Sequence, residues 1–437
     1  MATTPLRTAL TACWTALHTT QYGLAITSLN GVQAAVTCGT GGNVGAHSLS
    51  VQRLKNCISM TPAQFGLVVS IFTLGGLIGS LSATAISHRL GRIGTFRFAA
   101  ITVLLGSLAV GTANSIAVMI AGRILVGLGC GVGTVTVPVF LSEIAPPSIK
   151  RSLGIMNQVF IVIGMLIAQS LSFPFAKPYL WRYVLIASTG LAVVQLFGSF
   201  FIHEPATEKS DADIADEESL LVPTGEPALL GIMELLTSKD ARVTRGLLVV
   251  LVTQLSQQFC GVSPVMYFST RILTPVFKNN SRLVALFIVI LKIPITILPA
   301  FLIERLGTRR LLLIPTAVMS LAALLLAFGI NNDAPALSIT SIFLFVSAFS
   351  IGLGPVTWVV LPEVMPTHAV TAAGSVGVAL NWSANFCMGV AFLPLQQWMS
   401  GGNQSGEGNI FFVLAVTCLI AMLAMKMAFK VRERVAL

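Results

Sequence analysis

Twelve times along this chain a run of apolar residues approaches the roughly 20-residue length at which an α-helix crosses the hydrocarbon of a bilayer. The runs fall at about 9–36, 63–85, 95–113, 116–140, 153–174 and 182–202. After a polar gap they resume at about 245–272, 282–303, 310–330, 336–360, 373–395 and 409–429. Hydrocarbon offers a peptide group no hydrogen bond, so segments of this length cross it as helices. Of 437 residues 55% are hydrophobic and only 10% charged, with mean hydropathy +0.87. That composition excludes a water-soluble globular protein. The expected fold class is an all-α membrane protein of twelve transmembrane helices. The first run is too long for a cleaved signal's apolar core, so it reads as a span.

An even number of spans puts the N-terminal tip, the middle gap and the tail on one side. That side carries Arg89, Arg92, Arg97, Lys150, Arg151, Arg305, Arg309, Arg310, Lys426, Lys430, Arg432 and Arg434. The opposite loops carry fewer basic residues, Arg53, Lys55, Lys177, Arg182, Arg271, Lys278 and Arg282 among them. The positive-inside rule then places both termini in the cytoplasm. The net charge of +10 is accordingly a topology signal and not a nucleic-acid footprint.

The two sets of six repeat. Ser87–Arg92 reads SHRLGR after the second span, and Ile303–Arg309 reads IERLGTR after the eighth. Ser142–Pro146 (SEIAP) ends the fourth span, and Pro362–Pro366 (PEVMP) ends the tenth. Two parallel six-helix repeats around a midplane site are the architecture of an alternating-access carrier. The expected division is 1–202 for the first half, 203–244 for a cytoplasmic linker and 245–437 for the second half. The linker is acidic and poor in aromatics, which reads as disordered over most of its length. Gly231–Arg245 could form a short amphipathic helix on the cytoplasmic face.

The densest signals lie between Gly122 and Gln169. Gly127/Gly131 and Gly129/Gly133 form two interleaved GxxxG pairs, a spacing that lets a neighbouring backbone approach closely. Gln158 and Gln169 are expected on nearly the same face of the fifth span. Elsewhere, Gln257 and Gln258 stand in the seventh span, and Asn381 and Asn385 one turn apart in the eleventh. Such amides either clamp helices together or line a polar site. Trp358 follows a Gly-Leu-Gly-Pro break in the tenth span, which suits a stacking surface in a cavity as well as an interfacial anchor.

These motifs resemble the sugar porter family of the major facilitator superfamily over nearly the whole chain. Gly122-Arg123 with the glycine run, PVFLSEIAPPSIKR and Gln158 are similar to that family's fourth- and fifth-span signature. QLSQQFCGVSPVMYFST (Gln254–Thr270) is similar to its seventh-span signature. GLGPVTW, PEVMP and NWSANF (Gly352–Phe386) resemble those of the tenth and eleventh. The resemblance implies facilitated transport of a hexose or related polyol without cofactor, metal or covalent chemistry. It implies a substrate site formed by Gln158, Gln257, Gln258, Ser263, Lys292, Trp358, Asn381 and Asn385. Sugars present hydroxyls that pair with neutral amides and a ring face that packs on aromatics. It also implies a salt-bridge latch between the halves at the cytoplasmic helix ends. The matching residues are Arg89, Arg92, Arg123, Glu143, Arg151, Glu304, Arg305 and Glu363.

The departures bear on substrate and energy source. Proton-coupled members carry an Asp in the first span where this chain has Ala25. Ser263 replaces a seventh-span Asn, Ser350 a tenth-span Glu, and Lys292 an eighth-span Asn. A lysine that deep in a span is a functional candidate by default. It is expected beside Gln257 and Gln258, and would favour an anionic sugar acid or other organic anion as alternative substrate. Val370 and Thr308 stand at family Arg positions, so the latch is incomplete. A non-transporting sensor or trafficking protein on the same fold is the other alternative. Asp216 with Leu220 and Leu221 matches an acidic dileucine signal for a sorting adaptor, pointing to a vacuolar or endosomal membrane as an alternative to the plasma membrane. Asn279 and Asn403 begin glycosylation sequons in expected non-cytoplasmic loops. Cys38 and Cys57 bracket the first polar loop; a disulfide there requires an oxidising side, and the sequence leaves the pairing open.

Overall fold

The computed structural model describes residues 5–38, 54–144, 150–178, 180–202, 230–403 and 406–433, and all regular structure among them is helical. The first repeat contains α1 (Pro5–Thr27), the short α2 (Gln33–Val36), α3 (Pro62–Ser70), α4 (Phe72–Gly111), α5 (Ile116–Ile144), α6 (Lys150–Phe175) and α7 (Arg182–Gly198). A small helix α8 (Ile232–Thr237) precedes the second repeat. That repeat contains α9 (Ala241–Phe259), α10 (Val262–Phe277), α11 (Ser281–Ile297), α12 (Pro299–Asn331), α13 (Pro335–Ile351), α14 (Leu353–Val364), α15 (Val370–Ser400) and α16 (Asn409–Glu433).

These elements make twelve crossings because several helices join or divide. The 40 residues of α4 would extend about 60 Å if straight, twice the hydrocarbon thickness. It turns back at Gly91, whose φ of 71° lies in the left-handed region that only glycine enters freely. Gly307 turns α12 in the same way, with φ 74°. The two glycines occupy matching places in SHRLGR and IERLGTR, so the sequence repeat is also a backbone repeat. In the other direction, α3 and α4 share a crossing interrupted at Ile71, α9 and α10 one interrupted at Cys260–Gly261, α11 and the first limb of α12 one interrupted at Leu298, and α13 and α14 one interrupted at Gly352. Gly261 has φ 83°, and an added Cβ there would stand 2.6 Å from Leu414.

The bundle encloses its polar residues within an apolar core, and its outer face is apolar. Leu105, Val194, Phe197, Ile314, Leu321, Ile420 and Met427 present more than half of their surface outward, where lipid would meet them. The interleaved glycines fasten α4 to α5. A Cβ on Gly127 would stand 1.9 Å from the Phe72 carbonyl oxygen, and one on Gly131 would stand 2.2 Å from that of Gly76. Gly129 faces the other limb of α4, 2.5 Å from the Ala99 oxygen by the same measure. One helix thus packs at backbone contact against both limbs of the Gly91 turn.

Two expectations are corrected. The first crossing ends at Thr27 and not near residue 36, and the chain then turns into α2. Gly231–Arg245 is not one amphipathic helix: α8 is six residues long, and Asp240 begins α9 by capping the Arg242 N–H at 2.8 Å. Leu235 is the buried anchor of α8, and Leu230 N–H bonds to the His368 carbonyl at 3.0 Å. The middle linker, including Asp216, Leu220 and Leu221, lies outside the described residues.

At the end of the bundle opposite the termini, Cys38 and Cys57 are joined by a disulfide. Arg182 fastens that loop to the helices. Its guanidinium donates to the carbonyls of Gly111 (3.0 Å), Ala113 (2.6 Å) and Lys55 (2.7 Å) and lies 4.4 Å from the Trp181 ring centre. Trp181 Nε1 in turn donates to the Asn56 carbonyl at 2.8 Å. The disulfide closes a loop of sequence separation 19. Closing a loop of that size stabilises by about 3 kcal/mol through the unfolded chain. Cys57→Ser should therefore lower the melting temperature of the detergent-solubilised protein, and reductant should bring the wild type to the same value. A melting temperature unmoved by reductant would contradict the bridge.

Candidate functional site

The break between α9 and α10 puts Gln254, Gln257, Gln258 and Ser263 on one buried surface facing α15. Asn381 Nδ2 donates to Gln254 Oε1 (2.7 Å) and Gln257 Oε1 (2.6 Å). Gln258 Nε2 donates to Asn381 Oδ1 at 3.0 Å, and Ser263 Oγ donates to Gln258 Oε1 at 2.8 Å. Gln257 Nε2 completes the set by donating to the carbonyls of Leu353 (2.7 Å) and Gly354 (2.9 Å), at the start of α14. One turn along α15, Asn385 Oδ1 accepts from the Tyr267 hydroxyl at 2.8 Å. The result is a neutral network of amides and hydroxyls with no carboxylate in it.

Of the residues expected at the substrate site, Gln257, Gln258, Ser263 and Asn381 share this network, and Asn385 adjoins it through Tyr267. Gln158 takes no part in these bonds; it is partly buried on α6. Gln169 is buried near the turn after α1, where an added Cβ on Gly31 would stand 3.3 Å from its Oε1. Trp358 is 45% exposed and stacks on none of the described aromatic rings. Lys292 is buried but is not directly beside the amides as expected. Its ammonium lies 5.8 Å from the centre of the Phe349 ring. That ring lies against Gly354, whose carbonyl accepts from Gln257. Lys292 is thus one ring removed from the network.

Three residues of the site had no expectation attached to them. Trp382 is buried next to Asn381 and packs edge-on against Tyr22 (5.8 Å) and Phe72 (6.5 Å). It bridges the repeats, and its ring fills the space beside Gly76. An indole adjacent to Asn381 in the same NWSANF motif was the available signal. Gln254 was readable in the same way from its spacing to Gln257 and Gln258. Tyr267 joins the amides to the interface: its ring meets Phe72 at 6.0 Å.

The repeats also meet toward the disulfide end. Asn30, just past α1, donates to the Met266 carbonyl (3.1 Å) and Ser269 Oγ (2.6 Å) and accepts from the Thr270 N–H (3.0 Å). Phe268 departs from helical geometry inside α10, so local backbone groups there lack ladder partners. Asn30, from the other repeat, supplies them. Phe65 packs on Phe268 at 6.2 Å nearby.

At the termini end, Arg92 pairs with Glu143 at 2.6 Å and also donates to Ser87 at 2.9 Å. Both partners belong to the first repeat. Glu363 accepts from Thr308 Oγ1, and its carbonyl accepts from Arg432 at 2.9 Å, both within the second repeat. Arg89, Glu304 and Arg305 are exposed at this end, and the Arg151 side chain lies outside the described residues. Arg123 is a correction. It does not stand at the termini end but about 30 Å along α5 from Glu143. It is buried, donates to the carbonyls of Ala25 (2.9 Å), Val69 (2.8 Å) and Val68 (3.3 Å), and lies 4.6 Å from the Phe72 ring centre. The α3–α4 interruption presents the Val68 and Val69 carbonyls to a donor from outside the helix, which draws the guanidinium inward.

The Asn30 contacts generate a prediction. Three hydrogen bonds at about 0.5–1.5 kcal/mol each hold the repeats together at one end. Asn30→Ala should shift the protein toward the state open at the disulfide end. Thiol labelling of a cysteine placed at Ser269 would then speed up several-fold over the same cysteine in a wild-type background. Equal labelling rates would show that Asn30 does not hold this end closed.

Comparison with known proteins agrees with this arrangement. The family model for sugar (and other) transporters matches residues 10–434. The chain is 30% identical to probable metabolite transport protein YBR241C of Saccharomyces cerevisiae, over 88% of this chain and 86% of that one. It is 27% identical to vacuolar protein sorting-associated protein 73 of the same yeast, over 87% and 86%. Among solved structures, the partially occluded inward-open xylose transporter XylE of Escherichia coli superposes with a TM-score of 0.72 at 18% identity. That match covers 96% of this chain and 99% of XylE. The match to the family model over residues 10–434 shows that the chain, with its two backbone-matched six-helix repeats, belongs to the sugar (and other) transporter family.

Proposed function

We propose that the protein carries a hexose or related polyol across a membrane by alternating access, as facilitated diffusion, with both termini in the cytoplasm. The observation that carries this reading is the buried network of Gln254, Gln257, Gln258, Ser263 and Asn381, all neutral and all able both to donate and to accept. A sugar hydroxyl has the same dual capacity, so it can exchange into such a network without leaving an orphan. On this reading Trp382, next to Asn381 in sequence, Trp358 and, from the first repeat, Gln158 contribute further groups to the sugar. The two repeats, taken as 1–202 and 245–437 with the linker between, rock about this site. Arg92, Glu143, Thr308 and Glu363 brace the ends that move.

Downhill transport follows from the surroundings of Ala25. The first crossing carries no carboxylate there, and Arg123 instead bonds to the Ala25 carbonyl. Proteoliposomes should equilibrate labelled hexose at a rate insensitive to protonophore. Gln257→Ala and Gln158→Ala should each weaken sugar binding by about 1–3 kcal/mol, since each leaves buried hydroxyls unpaired. Wild-type uptake of a full hexose panel by both variants would overturn the site. Accumulation driven by an imposed pH gradient would overturn the energy source.

The acidic dileucine at Asp216, Leu220 and Leu221 directs the protein, on this reading, to a vacuolar or endosomal membrane through a sorting adaptor. The likeness to a vacuolar protein sorting-associated protein supports that destination. Replacing Leu220 and Leu221 together by Ala should move a fluorescent fusion to the plasma membrane. An unchanged distribution would remove the motif from the account.

A further inference from the structure

At the termini end of the second repeat, α9 and α16 pack against each other. Arg245 Nη1 donates to the Val431 carbonyl at 3.4 Å and so ties the start of α9 to the end of α16. Arg432 Nη2 donates to the Glu363 carbonyl at 2.9 Å. Both carbonyls lie in the last turn of their helices, where no intrahelical donor reaches them. Arg242 and Arg245 stand one turn apart on α9, and Lys426 and Lys430 one turn apart on α16. One turn further along α9 is Leu248, and on α16 are Met427 and Leu423, all three exposed. The outward surface is therefore basic at the helix ends and apolar toward the middle of the membrane. Those are the depths of a lipid headgroup and of its acyl chains.

The charge here is one-sided. Two carboxylates stand nearby and both are engaged: Asp240 accepts from the Arg242 N–H at 2.8 Å, and Glu363 accepts from Thr308 Oγ1. A guanidinium has five donors, so one bond each leaves Arg245 and Arg432 with most of theirs. The excess is not a property of every helix end on this side. The sixth crossing of the first repeat, α7, corresponds to α16 and has no Lys or Arg after its first residue. Its end presents Phe197, Phe200 and Phe201 instead. Arg97 of α4 reaches that end and is taken up by Ser199 and the Phe200 ring.

We propose that an anionic phospholipid of the leaflet at the termini end binds across α9 and α16. Its headgroup phosphate is held by Arg245 and Lys430, with Arg242 and Lys426 adding to the field, and an acyl chain follows Leu248, Met427 and Leu423. The lipid charge relieves the repulsion among the cations and holds α9 to α16. Occupancy thereby steadies the helix whose far end carries Gln254, Gln257 and Gln258. The proposal does not rest on the sugar-transport reading, and its test does not use transport.

The test is thermal unfolding of the full chain in dodecyl maltoside at constant ionic strength and constant total lipid. Dioleoyl phosphatidylcholine is exchanged stepwise for dioleoyl phosphatidylserine. The melting temperature should climb to a plateau as the serine lipid replaces the choline lipid, as it does for a ligand that binds only the folded state. Arg245→Ala with Lys430→Ala should raise the half-saturating fraction of serine lipid at least tenfold, since each basic residue contributes about fivefold. Lys55→Ala with Lys177→Ala removes the same charge from the disulfide end and should leave the dependence as it is. If the first pair does not fold, Lys426→Gln with Lys430→Gln, both exposed, serves instead and should act in the same direction. Equal melting temperatures in the two lipids would overturn the proposal. So would the same rise produced by soluble glycerophosphoserine in phosphatidylcholine, which would make the ligand a free phosphate. A serine-lipid dependence unchanged in the α9 and α16 variants, or weakened equally by the Lys55 and Lys177 pair, would reduce it to net charge and overturn the site.

Discussion

Hydrocarbon supplies no hydrogen bonds, and the internal structure of this bundle follows from that single deficit. Wherever a helix is interrupted, backbone groups lose their ladder partners and no lipid replaces them. At three interruptions a side chain from another helix does so. Arg123 takes the Val68 and Val69 carbonyls at the α3–α4 break. Gln257 takes the Leu353 and Gly354 carbonyls where α14 begins. Asn30 takes Met266 and Thr270 around the distortion at Phe268. These three polar side chains stand where the helices break, and the breaks are survivable because of them.

The same arrangement suits a carrier. A break completed by a side chain from elsewhere can be completed by a different partner after a small rotation. Each hydrogen bond contributes only about 0.5–1.5 kcal/mol net, so an exchange between side-chain and sugar partners is close to neutral. A carrier needs that near-neutrality, since a substrate held too tightly is not released. The Asn30 contacts and the Phe65–Phe268 packing close the disulfide end of the bundle, and they join the two repeats. At the termini end the ion pair Arg92–Glu143 and the Thr308–Glu363 bond each stay inside one repeat.

The misread residues share a physical cause. Arg123 reads with the charges at the helix ends because the Gly122-Arg123 pair before the glycine run resembles the family signature. Its true surroundings depend on carbonyls of α1 and α3, residues at sequence separations of 98, 55 and 54. Arg182 read as a loop charge, yet it is buried and collects carbonyls from two other connections. Trp382 was passed over in favour of Trp358, although only Trp382 is packed between the repeats. Lys292 was expected against the amides, and the Phe349 ring stands between them. In each case the residue type was informative and the partner was not, because partners are chosen by the packing of helices far apart in sequence.

The chain's own pattern determined that it spans a membrane twelve times, that its halves repeat, where glycines bring α4 and α5 into contact, and that Gln257, Gln258, Asn381 and Asn385 are polar-site candidates. Those properties are local: run length against bilayer thickness, the reversal at Gly91 and Gly307, and the helical spacing of Gln257, Gln258, Asn381 and Asn385. Only the tertiary structure decided which carbonyls Arg123 and Arg182 would satisfy, that Cys38 and Cys57 would pair, that Asn30 would complete α10 and that one end of the bundle would be the closed one. These depend on how helices far apart in sequence are brought together, and a buried polar group takes whichever partner that packing brings within reach.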